Sequence, residues 1–294
     1  MRVMKTFRQA VQGKAFTVTA DLTLQSHSDA DDVARQVDLL GPWVDAIQVT
    51  DNSWSEVQMS AVAAAALVLR QGVDPIAVLT CRDRNRIALC SDLLGLRALG
   101  VTSVLLLRGL EIPKDHPDET NMVFDVSSRE LVAMAVGVGD LDPPVPDKEF
   151  FIGIGARVLR PANGWAAKSI KERSGAGARF LQTQLCFNLD ILRQYMQCLV
   201  AKQLTWDFSV KVSLAPLLSA DNARWLKKNL SGSRISSAVI DRLEKAVDPE
   251  REGIEICAEL MREIAKIPGV TGVNLMTMGN PESIRDAIKT SSLR

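Results

Sequence analysis

Short apolar runs alternate along this chain with longer segments in which apolar residues recur at helical spacing. Runs of about four to eight apolar residues are typical of buried strands, and a period of about 3.6 residues is typical of helices. The pattern predicts eight strands, at residues 16–22, 44–49, 75–81, 102–107, 150–155, 180–184, 208–214 and 270–276. It also predicts eight helices, near residues 29–40, 54–71, 84–98, 127–138, 163–175, 188–202, 219–229 and 250–266.

The regular alternation of strand and helix indicates a parallel α/β architecture. Eight strands with helices between them favour a (β/α)8 TIM barrel, which we expect to occupy residues 1–294 as one domain. The alternative is an open, doubly wound sheet. Such a sheet usually carries a Gly-x-Gly-x-x-Gly turn after its first strand, and the sequence after residue 22 lacks one. The barrel is therefore the preferred prediction.

Capping residues mark several helix boundaries. Asp29 and Ser219 directly precede periodic segments, so we predict that each caps the N-terminus of a helix. Gly72 and Gly100 directly follow periodic segments, where glycine adopts the left-handed C-cap conformation without steric cost. These residues support the helix assignments independently of the apolar period.

Polar residues follow several predicted strands at their C-terminal ends, the edge at which parallel α/β proteins bind ligands. Asp21 ends the first strand, where a partly desolvated carboxyl group has a raised pKa and serves as a general acid. The alternative is a capping or surface aspartate. Gln184 ends the sixth strand and either presents a donor and an acceptor to a flat ring or bonds a neighbouring loop.

The ends of the second, third and fourth strands carry further candidates. Residues 50–52, Thr-Asp-Asn, either hydrogen-bond a heterocycle or close a turn. Residues 82–86 hold three arginines, which either bind phosphate or carboxylate groups or begin a solvated helix with Asp83 as its cap. Arg108 and Gly109 end the fourth strand, and the glycine permits a close approach of the backbone to a flat or phosphorylated ligand.

Composition narrows the expected partners and compartment. Lys plus Arg and Asp plus Glu number 35 each, so no overall field attracts nucleic acid or an anionic membrane. The five cysteines are scattered and only His27 and His116 supply imidazoles, which argues against a metal site or a disulfide framework. The N-terminus is too polar for a signal peptide, and the longest apolar run, at 61–69, is too short to span a bilayer. We therefore expect a cytoplasmic protein.

Eight segments, taken in order, carry a resemblance to a known family: 18–22, 44–52, 79–89, 91–95, 105–109, 123–125, 176–184 and 267–276. The third strand also ends in a Thr-Cys-Arg-Asp-Arg-Asn run at 80–85. Together these segments resemble the methylenetetrahydrofolate reductase family, and most closely the branch that has this run. The resemblance implies a (β/α)8 barrel that reduces 5,10-methylenetetrahydrofolate to 5-methyltetrahydrofolate, normally with hydride passing from NAD(P)H through FAD.

The resemblance also implies roles for individual residues. Asp21 matches the acidic residue that helps to open the methylene bridge, although many members have Glu there, and Gln184 matches the glutamine that contacts the pterin. We assign Asp51 and Asn52 to the substrate site as well. The residues assigned to the cofactor site are Thr50, Thr80, Arg82, Asn85, Arg108, Gly109, Asp125 and Arg173.

Three positions depart from the family's flavin pattern. Leu110 stands where members commonly have Asp near the flavin ring, Val78 where they often have His, and Glu172 replaces one of two basic residues. Losing several such contacts weakens flavin binding by orders of magnitude. Transfer through FAD and direct transfer from NAD(P)H therefore both stay open. The expected substrate is of the tetrahydrofolate type, and the sequence leaves a homo-oligomer open.

Two other functions also remain open. The altered flavin pattern suits a folate-binding barrel that has lost reduction and serves methyl or formaldehyde transfer. The arginines of 82–86 suit a barrel enzyme for an unrelated phosphorylated substrate, although the many ordered family matches argue against it. The sequence taken as a whole predicts a methylenetetrahydrofolate reductase that uses NAD(P)H.

Overall fold

Eight parallel strands close into a barrel in the computed structural model, which describes residues 5–13, 16–113, 116, 120–139, 149–162, 164–230, 232–277 and 279–294. Each strand pairs with the next, and the first pairs with the last. The strands are β1 (Thr17–Asp21), β2 (Ala46–Val49), β3 (Pro75–Thr80), β4 (Ser103–Leu107), β5 (Phe151–Ala156), β6 (Phe180–Leu185), β7 (Ser209–Leu214) and β8 (Val270–Leu275). The (β/α)8 barrel is confirmed, and all eight strands lie within two residues of their predicted ends.

Helices surround the barrel and bury one face each. In the second helix, for example, Val33, Val37 and Leu40 recur at helical spacing and are buried against the strands. Within the described part of the chain, no helix is long and apolar enough to cross a bilayer. The helices are α1 (Phe7–Gln12), α2 (Ala30–Leu40), α3 (Ala61–Arg70), α4 (Arg86–Leu99), α5 (Ser128–Gly139), α6 (Lys168–Gly175), α7 (Leu189–Ala201), α8 (Leu204–Asp207), α9 (Ala220–Asn229), α10 (Ser237–Lys245), α11 (Pro249–Ala265) and α12 (Pro281–Ser291).

The predicted helix caps are confirmed. The side chain of Asp29 accepts the backbone N–H of Asp32 at 2.9 Å, and Ser219 accepts the N–H of Asn222 at 3.1 Å. Gly72 and Gly100 have φ angles of +78° and +89°, the left-handed conformation expected after a helix.

Three helix starts differ from the prediction. The helix predicted over 54–71 begins only at Ala61, because Ser60 caps it and residues 53–55 form a separate 3₁₀ turn. Asp83 does not cap α4, since Asn85 takes that position and accepts the N–H of Ala88 at 3.0 Å. The predicted start of the sixth helix, residue 163, lies outside the described residues, and α6 begins at Lys168.

Four helices were not predicted. α1 and α8 contain six and four residues, too few for a helical period to appear. α10 and α12 are longer, and their N-caps were present in the sequence: Ser236 and Asn280 each accept a backbone N–H three residues further on. Cap residues followed by a short amphipathic stretch would therefore have identified both helices.

α1 closes the N-terminal end of the barrel. Phe7 is fully buried, and its backbone N–H donates to the carboxylate of Asp74 at 2.6 Å. Its ring lies 5.3 Å from that of Phe180 and 5.7 Å from that of Phe151, measured between centroids. This aromatic floor leaves the opposite end of the barrel as the place where a ligand enters.

Candidate active site

A cavity of about 370 Å³ opens at the C-terminal ends of the strands. Asp21 of β1 and Gln184 of β6 both line it, so the residues predicted for proton donation and pterin contact share one space. A second groove, of about 470 Å³, lies outside the barrel between α11 and α12 and includes none of the predicted site residues. Because parallel α/β barrels bind ligands at the C-terminal ends of their strands, the barrel cavity is the candidate site.

Asp21 is 6% exposed, and its carboxylate accepts a hydrogen bond of 2.8 Å from Nδ2 of Asn274 on β8. Burial raises the pKa of Asp21 from 3.8 to about 7. The bond from Asn274, the charge of Lys211 and a bond with Gln48 offset part of that rise. Burial therefore favours the protonated carboxyl group, the state that a general acid needs.

Lys211 of β7 lies between Asp21 and the aromatic floor and is fully buried. Its Nζ donates to Oγ1 of Thr19 at 3.1 Å and lies 4.5 Å and 5.1 Å from the ring centroids of Phe7 and Phe180. Burial lowers the pKa of Lys211 to about 7, against the attraction of Asp21. A buried amine and a buried carboxyl group thus face each other within the barrel.

Gln184 lies at the mouth of the cavity, where the pairing of β6 with β7 shifts register between Gln182 and Leu185. Oγ1 of Thr183 donates to the backbone oxygen of Gln184 at 2.8 Å and accepts the N–H of Ser213 at 3.1 Å. This irregularity fixes the backbone while leaving the Gln184 side chain exposed to the cavity.

Three buried acceptors on the cavity wall have no hydrogen-bond partner within the described protein. They are Oε1 of Gln48, Oε1 of Gln182 and Oγ1 of Thr80, and all three residues are buried. An unsatisfied buried acceptor is unfavourable, so such groups indicate a bound molecule that donates to them. A ring with several N–H groups supplies donors of this kind.

Asp51 holds the ends of β2 and β3 together. Its carboxylate accepts the backbone N–H of Thr80 at 2.8 Å and pairs with Arg84, which also pairs with Asp92 at 3.1 Å. The Asp51 side chain lines the cavity, and both of these contacts are made by its Oδ2. Its evident role is to position the strand ends around the cavity.

Arg82 is similarly engaged. Its guanidinium bonds the carboxylate of Asp83 at 2.6 Å, Oγ of Ser55 at 3.1 Å and the backbone oxygen of Asn52 at 3.0 Å. The guanidinium is thus neutralised and held by the protein, although Arg82 lines the cavity. Asn52 has a φ of +46° and donates to Asp83 at 3.3 Å, which gives residues 50–52 the turn geometry considered from the sequence.

Three further predicted cofactor residues also make internal bonds. Thr50 lines the cavity and bonds the side chain of Gln58 at 3.1 Å. Asn85 caps α4, and Asp125 accepts the backbone N–H of Arg86 at 2.7 Å. Asn85 and Asp125 are not among the residues that line the cavity.

Arg108, Gly109, Leu110 and Arg173 line the remaining wall. The guanidinium of Arg108 lies 4.2 Å from the ring centroid of Phe124 and is more than half exposed. Arg173 donates to the backbone oxygen of Gly155 at 2.9 Å, next to the cavity.

Gly109 is needed for packing. Its φ is +87°, and a Cβ there would come within 2.8 Å of the Cβ of Arg82 and 3.3 Å of that of Thr80. Glycine therefore allows the end of β4 to pass the end of β3 closely.

Several site residues were missed because they lie inside apolar strand runs rather than at strand ends. They are Thr19, Gln48, Gln182, Lys211, Ser213 and Asn274. Side chains alternate between the two faces of a strand, so polar residues two apart, as in Thr17-Val-Thr-Ala-Asp21, indicate a polar barrel interior. That period of two was the available signal.

Comparison with known proteins identifies the family. Residues 7–292 match the sequence profile described as methylenetetrahydrofolate reductase. The chain belongs to the methylenetetrahydrofolate reductase family. It is 23% identical over 246 residues to a Caenorhabditis elegans protein named probable methylenetetrahydrofolate reductase (NADPH), in an alignment covering 81% of this chain. This member of the reductase family spans only 35% of that relative's length.

Solved structures show the same fold as this reductase-family chain. A Clostridium thermocellum protein, described as binding two copies of 5-methyl-5,6,7,8-tetrahydrofolic acid, has a TM-score of 0.69 at 10% identity and 97% coverage of both chains. EDTA monooxygenase from Chelativorans sp. BNC1 has a TM-score of 0.56 at 8% identity, covering 94% of this chain and 92% of its own. At such identities the likeness concerns the barrel fold alone.

Proposed function

We propose that this chain reduces 5,10-methylenetetrahydrofolate to 5-methyltetrahydrofolate with NAD(P)H. The observation that carries the proposal is the placement of Asp21, a largely buried carboxyl group with a pKa of about 7, in one cavity with Gln184. Family membership supports a folate-related reaction. The C. thermocellum protein of the same fold is described as binding 5-methyltetrahydrofolic acid, the product proposed here.

In the proposed reaction, the proton of Asp21 passes to N10 of the substrate as the bond between N10 and the methylene carbon breaks. The resulting iminium at N5 accepts hydride at the methylene carbon, and the carboxylate of Asp21 then regains a proton from solvent. Gln184 supplies a donor and an acceptor to the pterin edge. The unpartnered oxygens of Gln48, Gln182 and Thr80 accept N–H groups of the bound ring system.

The groups at the cavity and next to it do not fit a tightly held flavin. The guanidinium of Arg82, on the wall, is already bonded to Asp83. Arg84 and Asp125 do not line the cavity, and both are bonded within the protein. Leu110 contributes an apolar side chain where the family commonly has an acid. We therefore propose that NAD(P)H binds as a second substrate and delivers hydride directly to the folate.

The direct test is oxidation of NADH or NADPH by the purified protein, followed by absorbance with and without methylenetetrahydrofolate. We expect oxidation only when the folate is present, with 5-methyltetrahydrofolate formed in equal amount. A visible absorption spectrum of the same preparation reports bound flavin. We expect the preparation to be colourless, with no flavin band. Oxidation that proceeds equally without folate would refute the proposed reaction.

A folate-binding barrel without reductase activity is the second candidate. The observation that favours it is the apolar wall formed by Val78, Leu105, Leu107 and Leu110, which lacks the polar contacts of the family's cofactor pattern. Equilibrium binding of methylenetetrahydrofolate, with no turnover of either nicotinamide, would support this candidate over the reductase.

A further inference from the structure

Lys211 is a buried amine that the proposed reaction does not use. It is fully buried and is not among the residues that line the cavity, so it has no access to a bound molecule. A nucleophilic role is therefore excluded by its position. Placing an amine in such surroundings is unfavourable unless its hydrogen bonds and charge are matched.

A directed row of hydrogen bonds connects this amine to Asp21. Nζ of Lys211 donates to Oγ1 of Thr19 at 3.1 Å, and Thr19 donates to Oδ1 of Asn274 at 2.7 Å. Nδ2 of Asn274 then donates to the carboxylate of Asp21 at 2.8 Å. Every donor in the row points toward Asp21, an arrangement that suits a carboxylate more than a neutral acid.

The charges of this region form an isolated pair. Asp21 is faced by Asn274 of β8, Gln48 of β2 and Lys211 of β7, and only the last is charged. Lys211 in turn is faced by Phe7 and Phe180, together with Thr19 and Asp21. Within the described part of the chain, no further charged group contributes to the pKa shift of either member, so each is the other's counter-charge.

We propose that Lys211 is a positioning residue, which orients Asp21 through Thr19 and Asn274 and supplies the positive charge that balances the carboxylate once its proton has left. The proposal deepens the function proposed above and rests on it for the role of Asp21 as acid. The O–H bond of Asp21 breaks as the N–H bond at the substrate's N10 forms. The charge left on Asp21 is then stabilised without any movement of Lys211.

The test follows the titration of Asp21 itself, by NMR of protein labelled with ¹³C at the aspartate carboxyl carbons. The Asp21 signal is assigned by its loss in Asp21→Asn. In Lys211→Met, a neutral side chain of similar length, we expect the titration midpoint to rise by about one pH unit or more because the counter-charge is gone. The pH at which reduction declines on the alkaline side should rise by the same amount, with KM for the folate little changed.

Thr19→Val provides a second variant that keeps the charge but breaks the row. We expect the Asp21 midpoint to rise in this variant too, by less than in Lys211→Met, because Asn274 loses its orienting donor. Thr17→Val is the matched control: Thr17 is a buried threonine on the same strand whose Oγ1 donates to the backbone oxygen of Thr271 at 3.2 Å. We expect it to leave the midpoint unchanged. If Lys211→Met does not fold, the Asp21 midpoint in Thr19→Val decides the test.

The outcomes separate this inference from the proposed function. A midpoint within about 0.3 pH units of the wild-type value in Lys211→Met and Thr19→Val overturns the coupling, whatever the activity. If the midpoint rises in the variants but the wild-type protein shows no folate-dependent oxidation of NAD(P)H, the coupling is supported and the reductase proposal is refuted. A shift as large in Thr17→Val would assign the effect to general loosening of β1 and overturn the inference.

Discussion

The two sides of the barrel interior differ in chemistry. β1, β2, β6, β7 and β8 turn polar side chains inward in the layer below the cavity mouth, namely Thr19, Gln48, Gln182, Lys211 and Asn274. β3, β4 and β5 contribute Val78, Leu105 and Gly153, which pair with one another in register. The side formed by β1, β2 and β6–β8 therefore carries ionisable and hydrogen-bonding groups, whereas these residues of β3–β5 are apolar.

The polar side of the barrel interior carries the groups for chemistry and ligand binding, and the apolar side contributes to packing. The polar side contains a buried acid, a buried amine and acceptors without partners, all of which are unfavourable in the folded protein alone. The apolar side packs closely, since Gly153 leaves room for the ring of Phe180. Substitutions on the polar side should therefore change activity and ligand affinity, and substitutions on the apolar side should change stability.

The largest expected effect is on the polar side. Asp21→Asn should lower folate-dependent NAD(P)H oxidation by about 10²–10⁴-fold, because an amide cannot donate the proton. Initial rates at neutral pH measure it. Asp74→Asn is the control: this aspartate is also buried, with a pKa raised to about 6 by burial, but it bonds Phe7 in the floor. An equal loss of rate in both variants would contradict a catalytic role for Asp21.

Gly153→Ala tests the apolar side. A Cβ at this position would lie 2.1 Å from the ring of Phe180, so the ring must move. We expect the free energy of unfolding in urea to fall by about 1–3 kcal/mol. Gly137→Ala in α5 meets no atom within 4 Å and should be neutral or stabilising. Equal stability of the two variants would show that Gly153 is not a packing requirement.

Gln182→Leu should separate affinity from stability within the polar side. The substitution removes an unfavourable unpartnered oxygen from the protein without ligand, but it also removes an acceptor that the ligand would use. We expect folate to bind about 2–10-fold more weakly, with unfolding free energy unchanged or higher. Calorimetric titration measures the folate affinity. Gln194→Leu, on the exposed face of α7, is the control. Unchanged affinity would remove Gln182 from the ligand site.

The last expected effect, on the affinity for flavin, is of the same size. Leu110→Asp restores the acid that the family commonly has at this position, and one added hydrogen bond should strengthen FAD binding by about 2–10-fold. Quenching of flavin fluorescence measures the affinity. Val247→Asp adds the same charge at a fully exposed position as a control. An equal gain in both variants would mean that the added charge acts without contacting the flavin.

The strands were predictable because each is a short apolar run bounded by turn or helix residues, and burial on both faces of a parallel strand requires such a run. Asp21 and Gln184 were predictable because they end such runs and match the family's motifs. Gln48 and Lys211 were not found, since a single polar residue within an apolar strand does not show which face it occupies. Their inward placement follows from the period of two only when the barrel interior is known.

The sequence by itself determined the order of the eight strands and of most helices between them, the caps at Asp29 and Ser219, the family and the two residues on which the proposed chemistry rests. Only the tertiary structure decided that Arg84 pairs with Asp51, that Arg82 bonds the turn at 52–55, and that Lys211 faces Asp21. The physical reason is that strand and cap signals are local, whereas these partners are brought together by closure of the barrel. Lys211 and Asp21, 190 positions apart along the chain, meet only because β1 closes the ring against β8.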